Sequence, residues 1–225
     1  MYTLAKYFLY FMIYSMIGWI IEEVVTLVGK KKLVNRGMLL GPYLPIYGTG
    51  TLIVLLIIGD NTSDYIAVFL KSVAICSILE YLTSYVMEKI YNIRWWDYSE
   101  IPFNINGRIC LRTMIPFGLL GLLVIYFVQP QVVMLVDKLS LIGLYVLASV
   151  LLTIFVIDNI VSTLVLNKIK AQVKCERKDN TDKAHKYIDE WLRENMYLYQ
   201  RIRNSFPKFK VILKNSKNKL KKINK

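Results

Sequence analysis

Asn35-Arg36-Gly37-Met38-Leu39-Leu40-Gly41-Pro42-Tyr43-Leu44-Pro45-Ile46-Tyr47-Gly48-Thr49-Gly50 packs four Gly and two Pro into sixteen residues, yet it is apolar and leads straight into the membranous stretch Thr51–Ile58. Proline removes a backbone donor and clashes with the preceding turn, so this stretch cannot form an undisturbed helix. Non-helical backbone at membrane depth is tolerated only where protein or water surrounds it. The sequence therefore predicts a re-entrant or unwound entry whose free N–H and C=O groups line a cavity. Broken helices of this kind commonly mark transporter binding sites. The competing reading is a simple interfacial turn ahead of a shortened helix.

The surroundings of this stretch are membranous as well. Of 225 residues 55% are hydrophobic, mean hydropathy is +0.41 and the formal charge is +13. Residues 1–167 carry a net charge of +1 and residues 168–225 a net of +12. The chain thus divides into an apolar transmembrane helical domain, 1–167, and a basic tail, 168–225. A bilayer core about 30 Å thick needs roughly 20 mostly apolar residues per spanning helix. Five stretches qualify: about Thr3–Val28, Met38–Gly59 (the irregular one), Asp64–Met87, Leu111–Val128 and Leu139–Asn167. The first is too long for a cleavable signal, has only Lys6 ahead of its core and lacks an A-x-A-like exit, so it is expected to remain as a helix. The predicted fold is an all-α polytopic membrane bundle of about five spans, one of them Gly/Pro-broken.

Loop charge gives the expected orientation. Lys30, Lys31, Lys32 and Arg36 occupy the first loop and Lys89, Arg94, Arg108 and Arg112 the third, whereas the second holds only acids and the fourth only Asp137 and Lys138. Lys/Arg-rich segments stay in the cytoplasm. Loops one and three and the tail are expected inside, the N-terminus outside, in a multi-pass protein of the cytoplasmic membrane.

The side-chain inventory excludes several chemistries. His185 is the only histidine and lies in the tail; Cys76, Cys110 and Cys175 are far apart and form no C-x-x-C. No metal site, cofactor or histidine-activated nucleophile is expected, and catalytic residues stay unassigned. Without a G-x-x-x-x-G-K-[ST] motif, any ATP hydrolysis must occur on another chain.

Ionisable groups inside a bilayer cost at least about 2.5 kcal/mol each at mid-membrane and usually face a partner or a cavity. Glu22 lies eight residues before Lys30, Glu80 nine before Lys89 and Asp158 ten before Lys168. At 1.5 Å rise per residue all three fall roughly 12–15 Å above the inner boundary. Three spans crossing in the same direction would place these acids in one layer, around a shared polar site or as interhelical locks. In the third loop, Arg94-Trp95-Trp96-Asp97-Tyr98-Ser99 reads as an interfacial aromatic belt, but Asp97, Asn104, Asn106 and Arg108 exceed what a belt requires. Arg36 and Arg108 enter from the same side as counter-charges for the acids, or as clamps for a phosphate or carboxylate. The candidate substrate-binding set is Glu22, Asn35, Arg36, Glu80, Glu88, Asp97, Asn104, Asn106, Arg108 and Asp158.

Several motifs in order carry a resemblance. They are Tyr14-Ser15-Met16-Ile17-Gly18-Trp19 with Glu22, Asn35-Arg36-Gly37 through Gly41-Pro42, and Pro45-Ile46-Tyr47-Gly48. Glu80-Tyr81, Met87-Glu88, Trp95-Trp96-Asp97-Tyr98-Ser99 and Phe103-Asn104-Ile105-Asn106-Gly107-Arg108-Ile109 complete the set. Over about residues 8–118 the chain resembles the type IV ABC-transporter permease (CmpB-like) family of bacterial integral membrane proteins. The resemblance implies the permease subunit of an ATP-driven transporter, hence an ATPase subunit as partner; five short spans are few for a monomeric pathway, which favours assembly with further copies or other subunits. It assigns no role to the tail.

Within the tail, Ile188, Trp191, Leu192, Met196 (or Asn195), Tyr199 and Ile202 recur at helical spacing, followed by the Lys-rich stretch Lys208–Lys225. A basic amphipathic segment next to a membrane reads first as an anchor to anionic lipid headgroups, then as a dock for a partner protein. With no recognised nucleic-acid motif, nucleic acid is not the expected partner. Three functions stand open. A transporter permease subunit would have its polar intramembrane site open toward the cytoplasm. An intramembrane enzyme acting on a lipid or lipid-linked substrate would use Glu22, Glu80 or Asp97 as acid/base and Arg36 and Arg108 on a headgroup phosphate. A noncatalytic adaptor would recruit its partner through the tail.

Overall fold

Long apolar runs, three of the four free of proline, set most of the architecture. The computed structural model describes residues 1–31, 33–59, 63–175, 181–194 and 197–212. The elements that position the site are α1 (Tyr2–Lys30), α2 (Pro45–Ile58), α3 (Tyr65–Tyr91), α4 (Leu111–Leu123), α5 (Gln129–Asp137) and α6 (Leu141–Cys175), then α7 (Thr181–Glu194) and α8 (Tyr197–Ser205). Two-residue strands β1 (Ile93–Arg94), β2 (Asn104–Ile105), β3 (Ile109–Cys110) and β4 (Lys210–Val211) trim the loops. Four helical stretches are long and apolar enough to cross a bilayer: Tyr2–Gly29, Tyr65–Tyr91, Leu111–Asp137 and Leu141–Val173. The all-α helical bundle expected from the sequence is what forms.

The second predicted crossing is built differently from the others. Helix α2 has 14 residues, about 21 Å at the helical rise and short of a bilayer core. Pro45 sits in its first turn, where the missing N–H is not needed. Just ahead of it, the Leu44 N–H donates 2.9 Å to the Ser15 carbonyl, midway along α1. The predicted second span is therefore part helix, α2, and part the non-helical run that ends at Leu44.

Helices α1 and α2 approach closely because glycine lets them. A Cβ on Gly48 would fall inside van der Waals contact of the Phe11 carbonyl and the Ser15 hydroxyl, and one on Gly18 would collide with the Tyr47 ring. Helices α3 and α4 pack along their length, with Asp64 capping α3 by accepting 2.9 Å from the Ala67 N–H. A π-helical turn, Val124–Val128, joins α4 to α5 just ahead of Pro130, so this crossing extends to Asp137 rather than ending near Val128. Lys6 pairs with Asp137 at 2.6 Å, so the N-terminus and the end of α5 share one face. The loop 92–110, the broken run 33–44 and the tail gather at the other, basic end.

The tail folds back onto that basic end. Ile188, Leu192, Tyr199, Ile202, Phe209 and Val211 bury with Tyr91, Ile93, Trp95, Val165, Leu166, Ile169 and Val173 in one core, with Trp191 packed against it. Strand β4 pairs antiparallel with β1, Ile93 opposite Val211. The predicted apolar stripe is thus helical, but its apolar face covers the chain's own α3, α6 and loop. Residues 195 and 196, and the Lys-rich end beyond Ile212, lie outside the described residues.

The close approach of α1 and α2 gives a direct test. Gly48→Leu must push apart two backbones, and overpacking of this kind costs about 1–3 kcal/mol. Gly50, whose added Cβ would meet only side-chain atoms, of Leu79 at 3.3 Å and Cys76 at 3.7 Å, is the contrast. In detergent, Gly48→Leu should melt well below the parent and Gly50→Ala close to it.

Candidate functional site

Three acids from α1 and α6, with one basic side chain from the tail, hold the broken segment. Asp158, in α6 and 7% exposed, accepts from the Leu40 N–H at 2.8 Å, the Gly41 N–H at 2.7 Å, the Tyr43 hydroxyl at 2.5 Å and the Ser162 hydroxyl at 2.8 Å. Glu23 accepts from the Val34 N–H at 3.2 Å and the Arg36 N–H at 2.7 Å. Glu22 pairs with the Arg36 guanidinium at 3.2 Å and accepts from the Tyr47 hydroxyl at 2.9 Å. Asn35 accepts from the Trp19 indole at 2.9 Å and donates to the Leu40 carbonyl at 2.9 Å. The free carbonyls go to the tail: Arg201 donates to those of Gly37, Met38 and Leu39, and the Ser205 hydroxyl donates 2.5 Å to that of Asn35. Arg36 in turn donates to the Ser205 carbonyl. These bonds satisfy backbone groups that would each cost about 1–3 kcal/mol if left buried and unpaired.

Glu80 has a different setting. It projects from α3, is 8% exposed, and accepts from the Tyr98 hydroxyl at 3.3 Å and the Thr113 hydroxyl at 3.4 Å. Tyr47, bound to Glu22, lies within electrostatic reach of Glu80 and Tyr98. Two carboxylates and three hydroxyls from α1, α2, α3, α4 and the loop thus form one polar cluster. Arg36, on Glu22, is its only cation among the described residues. Burial, and then the facing Glu80 carboxylate, push the Tyr98 phenol above its ordinary range.

The remaining predicted residues form a separate network at the basic end. Glu88 pairs with Arg94 at 2.8 Å and with Arg108 at 2.9 Å. Arg108 also donates 3.1 Å to the Ser84 hydroxyl and lies against the rings of Tyr81 and Tyr85. Asp97 takes the Ser99 N–H and hydroxyl, Arg94 at 3.5 Å, and Lys210 of β4. Asn104 donates 2.7 Å to the Ile101 carbonyl and accepts 2.9 Å from the Gly107 N–H; Asn106, at φ 54°, donates 2.9 Å to the Tyr81 hydroxyl. Asn104 and Asn106 shape the loop, and Gly107 is glycine because, at φ 65°, a Cβ there would collide with Asp97 and Ser99.

The ten predicted residues therefore divide three ways. Glu22 and Glu80 share the Tyr47–Tyr98 cluster. Asn35, Arg36 and Asp158 fix the broken segment, which Arg36 links to Glu22. Glu88, Asp97, Asn104, Asn106 and Arg108 build the loop network. Sequence reasoning left Tyr43, Tyr47, Tyr98, Thr113, Glu23, Arg201 and Ser205 out of the set. Tyr43 and Tyr47 do lie four residues apart in the Gly/Pro-rich stretch, a signal that could have drawn attention to them. No three or more His, Cys, Asp or Glu among the described residues group to hold a metal ion.

Two substitutions follow from this geometry. Asp158→Ala strands two backbone donors, so a loss of roughly 2–6 kcal/mol is expected, read as a drop in melting midpoint. Burial raises the Asp97 carboxyl, but Lys210 and Ser99 outweigh it and hold the group down at about 2. A depressed carboxyl stabilises the fold above its unfolded value and loses that contribution as pH falls through the folded one. The gap in melting midpoint between the parent and Asp97→Asn should stay constant above about pH 4 and close as pH approaches 2.

Comparison with known sequences adds one finding. No curated protein and no solved structure matches the chain. Residues 9–163, which include Glu22, the broken segment, Glu80, the loop network and Asp158 but not the tail, match the family model described as "Putative ABC-transporter type IV". With that match covering more than half of its length, the chain belongs to this family, as its ordered motifs foretold.

Proposed function

We propose that the protein is the membrane-embedded permease subunit of a transporter, and that the Glu22–Tyr47–Tyr98–Glu80 cluster is where its cargo or coupling ion binds. One observation carries this reading. Glu80 is buried and held only by hydroxyls, with no basic partner among the described residues, whereas Glu22, Glu88 and Asp97 each face an arginine or lysine and Asp158 takes two backbone N–H groups. A buried carboxylate without a counter-charge is costly. Its retention between four helices and a loop is accounted for by a cation or proton that comes and goes.

The orientation proposed is basic end inward, as the Lys/Arg loops favour, so that the cluster opens toward the cytoplasm. Because the chain carries no nucleotide-binding motif, an ATPase subunit is the proposed energy source. Most of the Leu141–Val173 stretch of α6 is not buried within the chain, leaving a long apolar face for lipid, a second copy or another subunit. Anionic headgroups beside the Lys-rich end remain the proposed contact for residues beyond the folded tail.

A strain lacking the protein, complemented with the parent or with Glu80→Gln, tests the reading. Deletion should alter a solute pool, the parent should restore it, and Glu80→Gln should fail by about tenfold in rate, the effect of roughly 1.4 kcal/mol. The variant should melt no lower than the parent, because a buried amide costs less than a buried charge. A normal solute profile with a changed lipid profile in the deletion strain would overturn the transport assignment, and full rescue by Glu80→Gln would remove Glu80 from it.

A further inference from the structure

The carbonyls of Gly37, Met38 and Leu39 are consecutive, yet all three point at one guanidinium. Arg201 reaches Gly37 at 3.3 Å and Met38 at 3.5 Å, and also binds Leu39. A strand turns successive carbonyls to opposite sides and a helix spends its aligned carbonyls on its own N–H groups; here the left-handed turn at Gly37, φ 97°, leaves three of them free for one donor. The next two N–H groups, of Leu40 and Gly41, point the other way, onto Asp158. That carboxylate lies within electrostatic reach of Arg201. The broken segment thus presents a cradle of three carbonyl dipoles backed by a negative charge. Unwound backbone carbonyls of this kind coordinate cations within membranes.

The occupant of the cradle is poorly anchored for a buried charge. Arg201 is 5% exposed, forms no ion pair within 4 Å among the described residues, and its Nε has no hydrogen-bond partner. It arrives on α8, a nine-residue helix. Outside their shared core, this part of the tail is held to the body by Ser205, by the two-residue pairing of β4 with β1, by the Ile212 N–H on the Asn92 carbonyl, and by the partly exposed Lys210. Such contacts can open locally without unfolding the bundle.

We propose that the Gly37–Met38–Leu39 carbonyls, backed by Asp158, form a binding site for a small cation of the guanidinium or alkali-metal class, which Arg201 fills from the tail. Tail and free cation then compete for one place: a cation in the cradle frees α8, and a docked α8 excludes the cation. The site is distinct from the Glu80 cluster, and the proposal does not depend on the transport reading.

The test uses the full chain in detergent, with guanidinium chloride and sodium chloride as probes and choline chloride at equal ionic strength as the control. Arg201→Ala should melt below the parent, and guanidinium, sodium or both should raise its midpoint by several degrees while choline does not. Failure of both probes, or equal recovery in choline, would overturn the proposal. Should the variant not fold, hydrogen–deuterium exchange on the parent decides. Amides of residues 197–205 should exchange about tenfold faster when a competing cation reaches ten times its dissociation constant, with those of α1 and α3 unchanged. Equal exchange in all three salts would sink the idea.

Discussion

Buried peptide groups have no water to fall back on, and residues 33–44 present a run of them without a helix to pair them. Everything distinctive about this protein answers that demand. Asp158 and Glu23 take the free N–H groups, Arg201 and Ser205 the free carbonyls, and Asn35 bridges the run to its own Leu40 and to Trp19. Remove that demand, by making the second crossing a full helix, and the acids of α1 and α6 would have no backbone to hold. Glu23 and Asp158 are thus structural first.

This division separates the ion pairs from the site. In the loop network, two arginines and a lysine meet two carboxylates in partly or fully buried positions, an arrangement that is expensive to break from one side but not by itself a source of much stability. It fixes the shape of residues 92–110, and with it the position of Tyr98. Tyr98 then reaches down to Glu80, so the outer network positions a group of the inner cluster without joining it.

Much of this was legible in the sequence. Hydropathy marked the crossings; Gly and Pro density marked the break; the acids stood out because charged residues inside apolar runs are rare. What could not be read was pairing at a distance. Leu40 and Asp158 are 118 residues apart, and Leu39 and Arg201 are 162; no local rule joins them. Arg201 is one of eighteen basic residues in a basic tail, so charge counting conceals it, and Tyr98 reads as part of an interfacial aromatic belt. The amphipathic stripe of the tail was visible, but periodicity shows only that a face is apolar, not whether lipid or the chain itself covers it.

The same long separations bear on how the protein is made. Ribosomes add about 5–20 residues per second, so Leu40 and Gly41 leave the exit tunnel roughly 6–24 s ahead of the aspartate that will cap them, 118 residues further on. For that interval the entry strand has no finished home in the bilayer. Insertion must leave it hydrated at the surface, or sheltered by the insertion machinery, until α6 arrives, and the last clamp closes later still, once Arg201 and Ser205 have followed.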